Sequence, residues 1–420
     1  METLSQQELE YRLGIDYCKT EEEVRQELRR LLPNATSEEL ETMMQSPKLD
    51  FRMIDGQKRY FRSAARNLFR LDPQYVPLRD ELGLNPGLWR TSWTKRFMYQ
   101  MFTLHGESAL PPICNHFLWD FRLTVRPDAV PAGEVIRCWL PIPQQIKGVQ
   151  SVTSKILTSP VEHQQAPAEA AHQTVYMERT AVAGEPTVFS VKCSVRIYSE
   201  TTDFLKVFPY YDSFTPELEQ YLAEKEPHIR FTKKLLDLSR RIVSPEQPPL
   251  QKAMAIFKWI SDTLPWASAR EYSTIENIPE HVIAQGGGDC GQKTLLFITL
   301  CRINGIPARW QSGFMLHSRH QNLHDWAEIF LPDHGWVAVD TSFGLLNHLK
   351  YDVMRSFYFG NRDGYHMAVN SDISAPLFPP KQFPRSETVD FQRGEVEWSG
   401  GNLYFPDWDY SFKGKLLHKR

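Results

Sequence analysis

Two stretches of this chain alternate apolar and polar residues with a period of two, and this alternation constrains the fold more than any other feature. Phe121, Leu123 and Val125 alternate with polar residues, and the same pattern runs through residues 189–197. Successive side chains of a β-strand point to opposite faces of a sheet, so the pattern is typical of strands with one face in a core. Residues 117–205 are therefore predicted to form a small antiparallel β domain, similar to a β-sandwich.

The region before this β domain, residues 1–116, is predicted to be mostly helical. Thr20 and Thr36 each precede a glutamate by three residues. This is the spacing of a capping box, in which a hydroxyl and a carboxylate satisfy the free backbone donors at a helix start. Residues 88–102 are predicted to form a further helix or buried segment. Nothing in this region points to chemistry, so we expect it to pack against the rest of the chain or to cover it.

Helical periodicity returns after about residue 215. Residues 250–264 place their apolar side chains on one helical face, and a glycine-rich segment, a second helix and three strand-like runs follow. The chain has 420 residues, whereas single cores stop growing at roughly 250–300 residues, so several domains are expected. Residues 206–349 are predicted to form one of them. Residues 350–420, rich in proline, glycine and aromatics, are predicted to be an extension that packs on this domain with short strands at most.

The charge and hydropathy of the chain exclude several classes of function. A net charge of −3 gives the chain as a whole no electrostatic attraction to nucleic acid or to an anionic membrane. No run of about 18 apolar residues occurs, so no transmembrane helix is predicted. Residues 1–10 lack the hydrophobic segment of a signal peptide. This predicts a cytoplasmic protein, or an extracytoplasmic one if a leader has been removed, and oligomeric state is not fixed by these features.

The six cysteines show no metal-binding pattern, because none form a CxxC pair and none has a histidine at the spacing of a zinc site. We therefore predict no metal and no cofactor. Cys138 and Cys193 lie on the apolar side of alternating segments. They are interpreted as small buried residues, which could pair with each other only in an oxidising compartment.

Cys290 is placed differently, because it follows a glycine run and begins a predicted helix. A helix N-terminus favours the thiolate, which is the nucleophilic form of cysteine. Gly288 and Gly291 flank this position and are candidate substrate and oxyanion positions. Glycines allow close approach to the backbone and leave amides free to face an oxyanion, with the amide of Cys290 as the first candidate donor. A phosphate-binding loop is disfavoured, since no Gly-Lys-Ser/Thr follows. A lone cysteine at a helix start is more often inert than catalytic, so the interpretation depends on its partners.

His324 and Asp340 are the predicted partners, and they lie on the two strands of a predicted hairpin. A nucleophilic thiol needs a base, and the base needs an orienting group. If a three-residue turn is centred on Asp333, Asp340 faces Trp326 and lies diagonal to His324 on the same face of the sheet. A turn longer or shorter by one residue would place them on opposite faces. The hairpin can therefore build the pair in one register parity only.

Four motifs then give a resemblance to a known family. They are GDCG at 288–291, LCRINGIPAR at 300–309, HDWAE at 324–328 and GWVAVDT at 335–341. In this order, and with an interval from histidine to aspartate of 340 − 324 = 16, they resemble the core of the transglutaminase-like superfamily. The motif WLPIP at 139–143 resembles the domain that precedes this core in bacterial members, and FYFGNRD at 357–363 resembles the extension that follows it.

The resemblance implies an α+β fold and a set of roles. The fold is a papain/transglutaminase-like core, in which the helix carrying the cysteine packs on an antiparallel sheet. It is preceded by the β-sandwich-like domain and the helical N-terminal region. Cys290 attacks a carbonyl, His324 moves the proton and Asp340 holds the imidazole. Trp266 is the candidate for an aromatic that contributes to the oxyanion site, with a place in the core as the alternative. Asp325 replaces the small residue common after the family's histidine and is expected to face away from the site.

The predicted reaction is acyl transfer from a peptide or protein substrate through a cysteine thioester. Attack by water makes the protein a peptidase or amidase, which we rank first because bacterial members with this layout resemble hydrolases. Attack by an amine makes it a true transglutaminase. A third alternative is a catalytically silent protein that binds a peptide or glycan. No acidic loop of EF-hand type is present, so calcium dependence is not expected.

Overall fold

The computed structural model describes residues 4–84, 113–154, 162–205, 216–317, 320–346 and 355–419. The helix predicted over residues 88–102 lies outside these ranges. Within them, no helix is long and apolar enough to cross a membrane.

Within residues 4–84, the N-terminal region forms four α-helices and a hairpin around a core of its own. The helices are α1 (Gln6–Asp16), α2 (Glu21–Leu31), α3 (Ser37–Met44) and α4 (Ala64–Leu71). The hairpin, which was not predicted, is formed by β1 (Phe51–Ile54) and β2 (Gln57–Tyr60). Both predicted capping boxes are present, with Thr20 and Thr36 as the N-caps of α2 and α3. Their local hydrogen bonds fix where these two helices begin.

The predicted β domain is present as two packed antiparallel sheets. Its strands are β3 (Cys114–Val125), β4 (Val135–Pro141), β5 (Gln150–Ser154), β6 (His163–Gln165), β7 (Thr174–Thr180) and β8 (Thr187–Tyr198). β8 lies between β3 and β5 in one sheet, and β7 lies between β4 and β6 in the other. The inward side chains of both sheets form a single apolar core. Cys138 and Cys193 are buried there as free thiols, in agreement with the alternation.

The central domain packs helices on one face of a four-stranded antiparallel sheet. The helices are α5 (Pro216–Glu219), α6 (Lys233–Ile242), α7 (Pro249–Thr263), α8 (Ile278–Gln285) and α9 (Cys290–Ile303). The strands are β9 (Ala308–His317), β10 (His320–Leu331), β11 (Gly335–Val339) and β12 (His366–Asn370), in the order β11-β10-β9-β12. α9 is buried against β9 and β10 and contributes to the apolar core beneath the sheet. The fold is α+β, with the cysteine-bearing helix on an antiparallel sheet as predicted.

The residues after the central domain complete the sheets of the β domain. They form β13 (Glu395–Trp398), β14 (Gly401–Asn402) and β15 (Trp408–Lys419). β15 pairs with β3 along almost its entire length, and β13 pairs with β4. The 12-residue β15 is longer than the short strands expected for this region. The alternating aromatic residues at 408, 410 and 412 indicate a strand. Its pairing with β3, which is distant in sequence, cannot be predicted from a local pattern.

Candidate active site

Cys290 is the first residue of α9, as predicted. Asp289 is the N-cap: its carboxylate accepts the amide of Gln292 at 3.0 Å, and the Gln292 side chain accepts the Asp289 amide at 3.3 Å. The same carboxylate accepts the hydroxyl of Tyr272 at 2.6 Å. A reciprocal cap of this kind fixes the start of a helix, so the thiol is held in a defined first turn.

The glycine run is occupied by backbone hydrogen bonds, which corrects the expectation that its amides are free. The amides of Gly286 and Gly287 both donate to the carbonyl of Val282, and the Gly288 amide donates to the carbonyl of Pro265 at 3.2 Å. The run therefore ends α8 and ties the loop before α9 to the chain at Pro265. Among the described residues, the amides of Cys290 and Gly291 in the first turn of α9 donate to no such acceptor, so they remain the available oxyanion donors.

Gly291 and Trp266 serve packing in this structure. A Cβ atom at Gly291 would lie 2.3 Å from the Tyr272 hydroxyl and 2.7 Å from a carboxylate oxygen of Asp325, so only glycine fits there. Trp266 is half-buried beside Gly288, and its ring stacks under the guanidinium of Arg70 at 4.7 Å. Its described partners thus join the central domain to the N-terminal region, which favours the structural alternative for this tryptophan.

The structure brings His324 and Asp340 together in the predicted register. Ala327 pairs with Val339 and a three-residue turn follows Leu331, so β10 and β11 place both side chains on the same face of the sheet. The Nε2 atom of His324 lies 2.6 Å from an Asp340 carboxylate oxygen. The second Asp340 oxygen accepts the amides of Ser342 and Phe343, each at 2.9 Å. Each oxygen of this carboxylate therefore has its own partners.

The pair continues into a buried chain of histidines and carboxylates that was not predicted. Nε2 of His366 lies 3.1 Å from Asp340, and its Nδ1 atom lies 2.9 Å from Asp363, whose other oxygen lies 2.8 Å from His317. Although burial opposes it, the neighbouring carboxylates Asp363 and Asp340 raise the pKa of His366 to about 9. Burial lowers the pKa of His324 despite Asp340. Asp363 is the last residue of the motif at 357–363, which carried part of the family resemblance. That motif was the sequence signal that could have indicated this buried chain.

The donor atoms of His324, Asp340 and His366 lie within 4.8 Å of one another, close enough for three ligands of one metal ion. Each side chain already hydrogen bonds within this set, so the arrangement is explained without an ion.

The thiol contacts Asp325, which corrects the expectation that this residue faces away from the site. The Cys290 sulfur donates to an Asp325 carboxylate oxygen at 3.1 Å. Because Asp325 follows His324 on β10, the two side chains point to opposite faces of the sheet. No hydrogen bond between described residues joins Cys290 to His324. The structure therefore unites two of the three predicted residues and gives the third a different partner.

Electrostatics also oppose the predicted thiolate. Burial raises the pKa of the Cys290 thiol well above its usual value, and the carboxylates of Asp325 and Asp289 raise it further. Burial, then the charge of Asp289, raises the pKa of Asp325 to about 8. Desolvation and two carboxylates therefore outweigh the favourable field of the helix N-terminus. The thiol is therefore neutral and hydrogen-bonded to Asp325.

A cavity of about 190 Å³ opens beside Cys290. Its wall includes Asp289, Asp325 and Asp390, together with Gln392, whose amide donates to Asp325 at 2.9 Å. Residues 386–393 come from the segment that connects β12 to β13, far from Cys290 in sequence. No local pattern in this segment indicated a role in the site.

The family of the central domain follows from comparison with known sequences. Residues 236–341 match the Transglutaminase-like superfamily. The chain is 22% identical over 241 residues to an uncharacterized protein of Haemophilus influenzae, covering 49% of this chain and 64% of the relative. It is 27% identical over 78 residues to the uncharacterized protein YebA of Bacillus subtilis, covering 15% of this chain and 11% of that protein. The chain thus spans less than two thirds of both relatives.

Two solved structures have a lower sequence identity to this chain than these two relatives do. A candidate cysteine protease from Cytophaga hutchinsonii is 14% identical with a TM-score of 0.48, covering 74% of this chain and 92% of that one. The periplasmic domain of TgpA from Pseudomonas aeruginosa is 17% identical with a TM-score of 0.28, covering 57% and 89%. The assignment rests on the sequence match that contains Cys290, His324 and Asp340: residues 236–341 form a domain of the transglutaminase-like superfamily.

Proposed function

We propose that this protein is a thiol-dependent acyl-transfer enzyme that hydrolyses a peptide or carboxamide bond, with Cys290 as nucleophile. The observation that carries the proposal is the position of Cys290, in the first turn of α9 and on the wall of a cavity. The buried His324–Asp340 pair on the adjoining strands supports it. Both parts lie within the residues that match a superfamily whose members are usually enzymes.

The proposed reaction proceeds through a thioester. The Cys290 sulfur attacks the carbonyl carbon of the substrate, and the first-turn amides face the developing oxyanion. The carbon–nitrogen bond breaks, and the leaving amine takes the proton that His324 received from the thiol. Water then attacks the thioester and gives a proton to His324. The carbon–sulfur bond breaks, the acid product leaves and the thiol regains its proton.

This reaction requires the thiol to leave Asp325. The sulfur is hydrogen-bonded to Asp325 on one face of β10, while His324 lies on the other face. Because these lie on opposite faces, proton transfer to His324 needs a rearrangement of the start of α9 or of β10 that brings sulfur and imidazole within hydrogen-bond reach. Catalytic contacts often form only when substrate is bound, so such a rearrangement is compatible with this role.

A peptide library incubated with and without an amine acceptor tests the proposal, because it detects hydrolysis and amine transfer together. Cys290→Ala is compared with Cys18→Ala, a cysteine replacement at an exposed position. Cleavage that depends on Cys290 and ignores the acceptor supports a hydrolase. Incorporation of the amine would instead assign the transglutaminase alternative. Product formation that persists in Cys290→Ala contradicts both.

One observation favours a second candidate, a catalytically silent binding protein. The thiol is neutral and bonded to a carboxyl group rather than to the histidine. A silent protein would bind library peptides in the cavity with unchanged affinity in Cys290→Ala and would release no product from any of them. Mass spectrometry of bound and free peptides separates this outcome from slow turnover.

A further inference from the structure

The cavity beside Cys290 contains a carboxyl group without a partner. Asp390 is 6% exposed and lines the cavity together with Asp325. Among the described residues, it makes no hydrogen bond and no ion pair within salt-bridge distance. A buried ionisable group normally has a compensating partner, because leaving it unpaired is costly. Asp390 is thus a buried polar group that faces space able to hold a ligand.

Most of the other charged groups around this cavity are already engaged. Glu271 and Glu387 both form ion pairs with Arg393, at 2.7 and 2.6 Å. Arg62 pairs with Glu271 at 3.2 Å. Arg270 also lines the cavity, and its Nε and Nη1 atoms have no hydrogen-bond partner among the described residues. Asp325 and Asp390 remain as carboxyl groups that a ligand can reach, and because burial raises the pKa of both, a cation bound between them would favour their charged forms.

The Cys290 thiol and the Asp325 carboxyl group further restrict which ligand the cavity can bind. Asp325 uses one oxygen for Cys290 and the other for Gln392, so it can exchange the thiol for a stronger donor. The carboxyl oxygens of the cavity do not meet the spacing of three metal ligands, which the described residues reach only around Asp340. A cavity of about 190 Å³ has the volume of roughly six water molecules, which suits a small organic group.

We propose that this cavity binds a primary ammonium group of the substrate between Asp325 and Asp390. Three N–H donors match the two carboxyl groups. The ammonium group also takes over the Asp325 oxygen that holds the thiol, which frees the sulfur and lowers the cost of forming a thiolate. The site therefore selects an amine-bearing substrate and is activated by it. This activating role rests on the proposed acyl-transfer function, whereas binding of the ammonium group does not.

Small thiol reagents of different charge test the binding without any turnover. The probes are 2-aminoethyl methanethiosulfonate, which carries an ammonium group, and neutral methyl methanethiosulfonate. Each forms a disulfide with the thiolate and releases methanesulfinate. We expect the cationic reagent to modify Cys290 at least about tenfold faster than the neutral one, relative to the same ratio at exposed Cys18. Peptide mapping by mass spectrometry gives both rates from one sample.

Asp390→Asn is the decisive variant, and Asp262→Asn at an exposed position is its matched control. Asp390→Asn should reduce the preference at Cys290 to the ratio seen at Cys18, while Asp262→Asn retains it. Unchanged melting curves establish that both variants are folded, and Asp390→Glu, which keeps the charge, should retain part of the preference. Equal rates for the two reagents in the parent protein, or a preference that survives Asp390→Asn, would overturn the proposal.

Two comparisons between substrates identify the source of the ammonium group. Peptides with a free α-amino group are compared with their N-acetylated forms, and acetylated peptides are compared with and without cadaverine. Preference for the free amino group assigns the site to the acyl donor, and acceleration by cadaverine assigns it to the acceptor. Peptide turnover that depends on Cys290 but shows neither effect would overturn the inference while leaving the proposed function intact.

Discussion

The two faces of β10 differ in how their ionisable side chains are paired. On the histidine face, which carries His324, the chain of hydrogen bonds through Asp340, His366 and Asp363 is buried and continuous. On the thiol face, which carries Asp325, a neutral thiol and the unpartnered Asp390 border a cavity.

This contrast indicates that the side chains of the histidine face are held in fixed positions, whereas those of the thiol face can still bind a ligand. A continuous buried network of hydrogen bonds holds its members in one arrangement. A buried carboxyl group without a partner has no such constraint and gains most from a ligand that supplies one. The histidine face therefore positions the base, whereas the thiol face governs when the nucleophile is released.

The largest expected effect is the loss of turnover in Cys290→Ala. Removing the sulfur removes the only covalent route on the thiol face, so hydrolysis of a library substrate should fall to background. Cys18→Ala should retain parental activity, and both should melt near the parent because neither replacement removes a large side chain. Full activity in Cys290→Ala would show that the thiol face has no chemical role.

The next effect comes from the histidine face. Asp340→Asn changes the partner of His324 and His366, and the corresponding change in serine proteases lowers turnover by about four orders of magnitude. We expect a loss of similar size with a small residual activity, and a lower melting temperature because the buried carboxylate accepts four hydrogen bonds.

Asp333→Asn, in the turn of the same hairpin, is the matched control and should leave kcat unchanged. If Asp340→Asn retained more than about a tenth of parental turnover, His324 would not act as the base through this pair.

A smaller effect is expected in the pH dependence of stability. The pKa of His366 is raised to about 9 in the folded protein, against about 6.5 when unfolded. The contribution of His366 to the free energy of unfolding is therefore complete below about pH 6.5 and is lost as the pH rises through about 9, a change of about 3 kcal/mol.

The His366→Gln variant should lack this loss of folding stability at alkaline pH. Urea unfolding of parent and variant at pH 6 and pH 9.5 measures it, and the difference between the two proteins removes the contributions of other titrating groups. Parallel pH profiles would indicate that the histidine face does not carry a buried charge.

The smallest effect concerns the reactivity of the thiol. Asp325→Asn removes a carboxylate that raises the Cys290 pKa, so alkylation of Cys290 by iodoacetamide should accelerate by about tenfold, the factor expected for one pKa unit. In the parent, Cys290 should still react faster than Cys138, Cys193 and Cys301, which are buried in apolar cores.

Cys18 provides the reference rate in the same sample. An unchanged or slower rate in Asp325→Asn would mean that the carboxyl group activates the thiol and does not restrain it.

The hairpin register could be predicted from sequence because the turn length alone sets the parity of His324 and Asp340. The capping boxes at Thr20 and Thr36 could also be predicted, because each depends only on residues close to it in sequence. The partner of the thiol was missed although a signal existed. Ala327 and Ile329 share the parity of Asp325 and form the apolar face on which α9 packs. The docking of α9 therefore directs Cys290 to Asp325. No pattern indicated Asp390, because its place depends on the path of a long connection.

The pairing of β15 with β3 has a consequence for synthesis on the ribosome. β3 is made early, yet the strand that covers one of its edges emerges only after the whole central domain. Domains usually fold as they leave the ribosome, in order from the N-terminus. Here the β domain must keep an aromatic-rich edge unpaired while the transglutaminase-like domain folds beside it, and unpaired edges of this kind invite aggregation. A nascent chain halted before residue 408 should therefore require a chaperone at that edge, whereas the released chain would close it with its own strand.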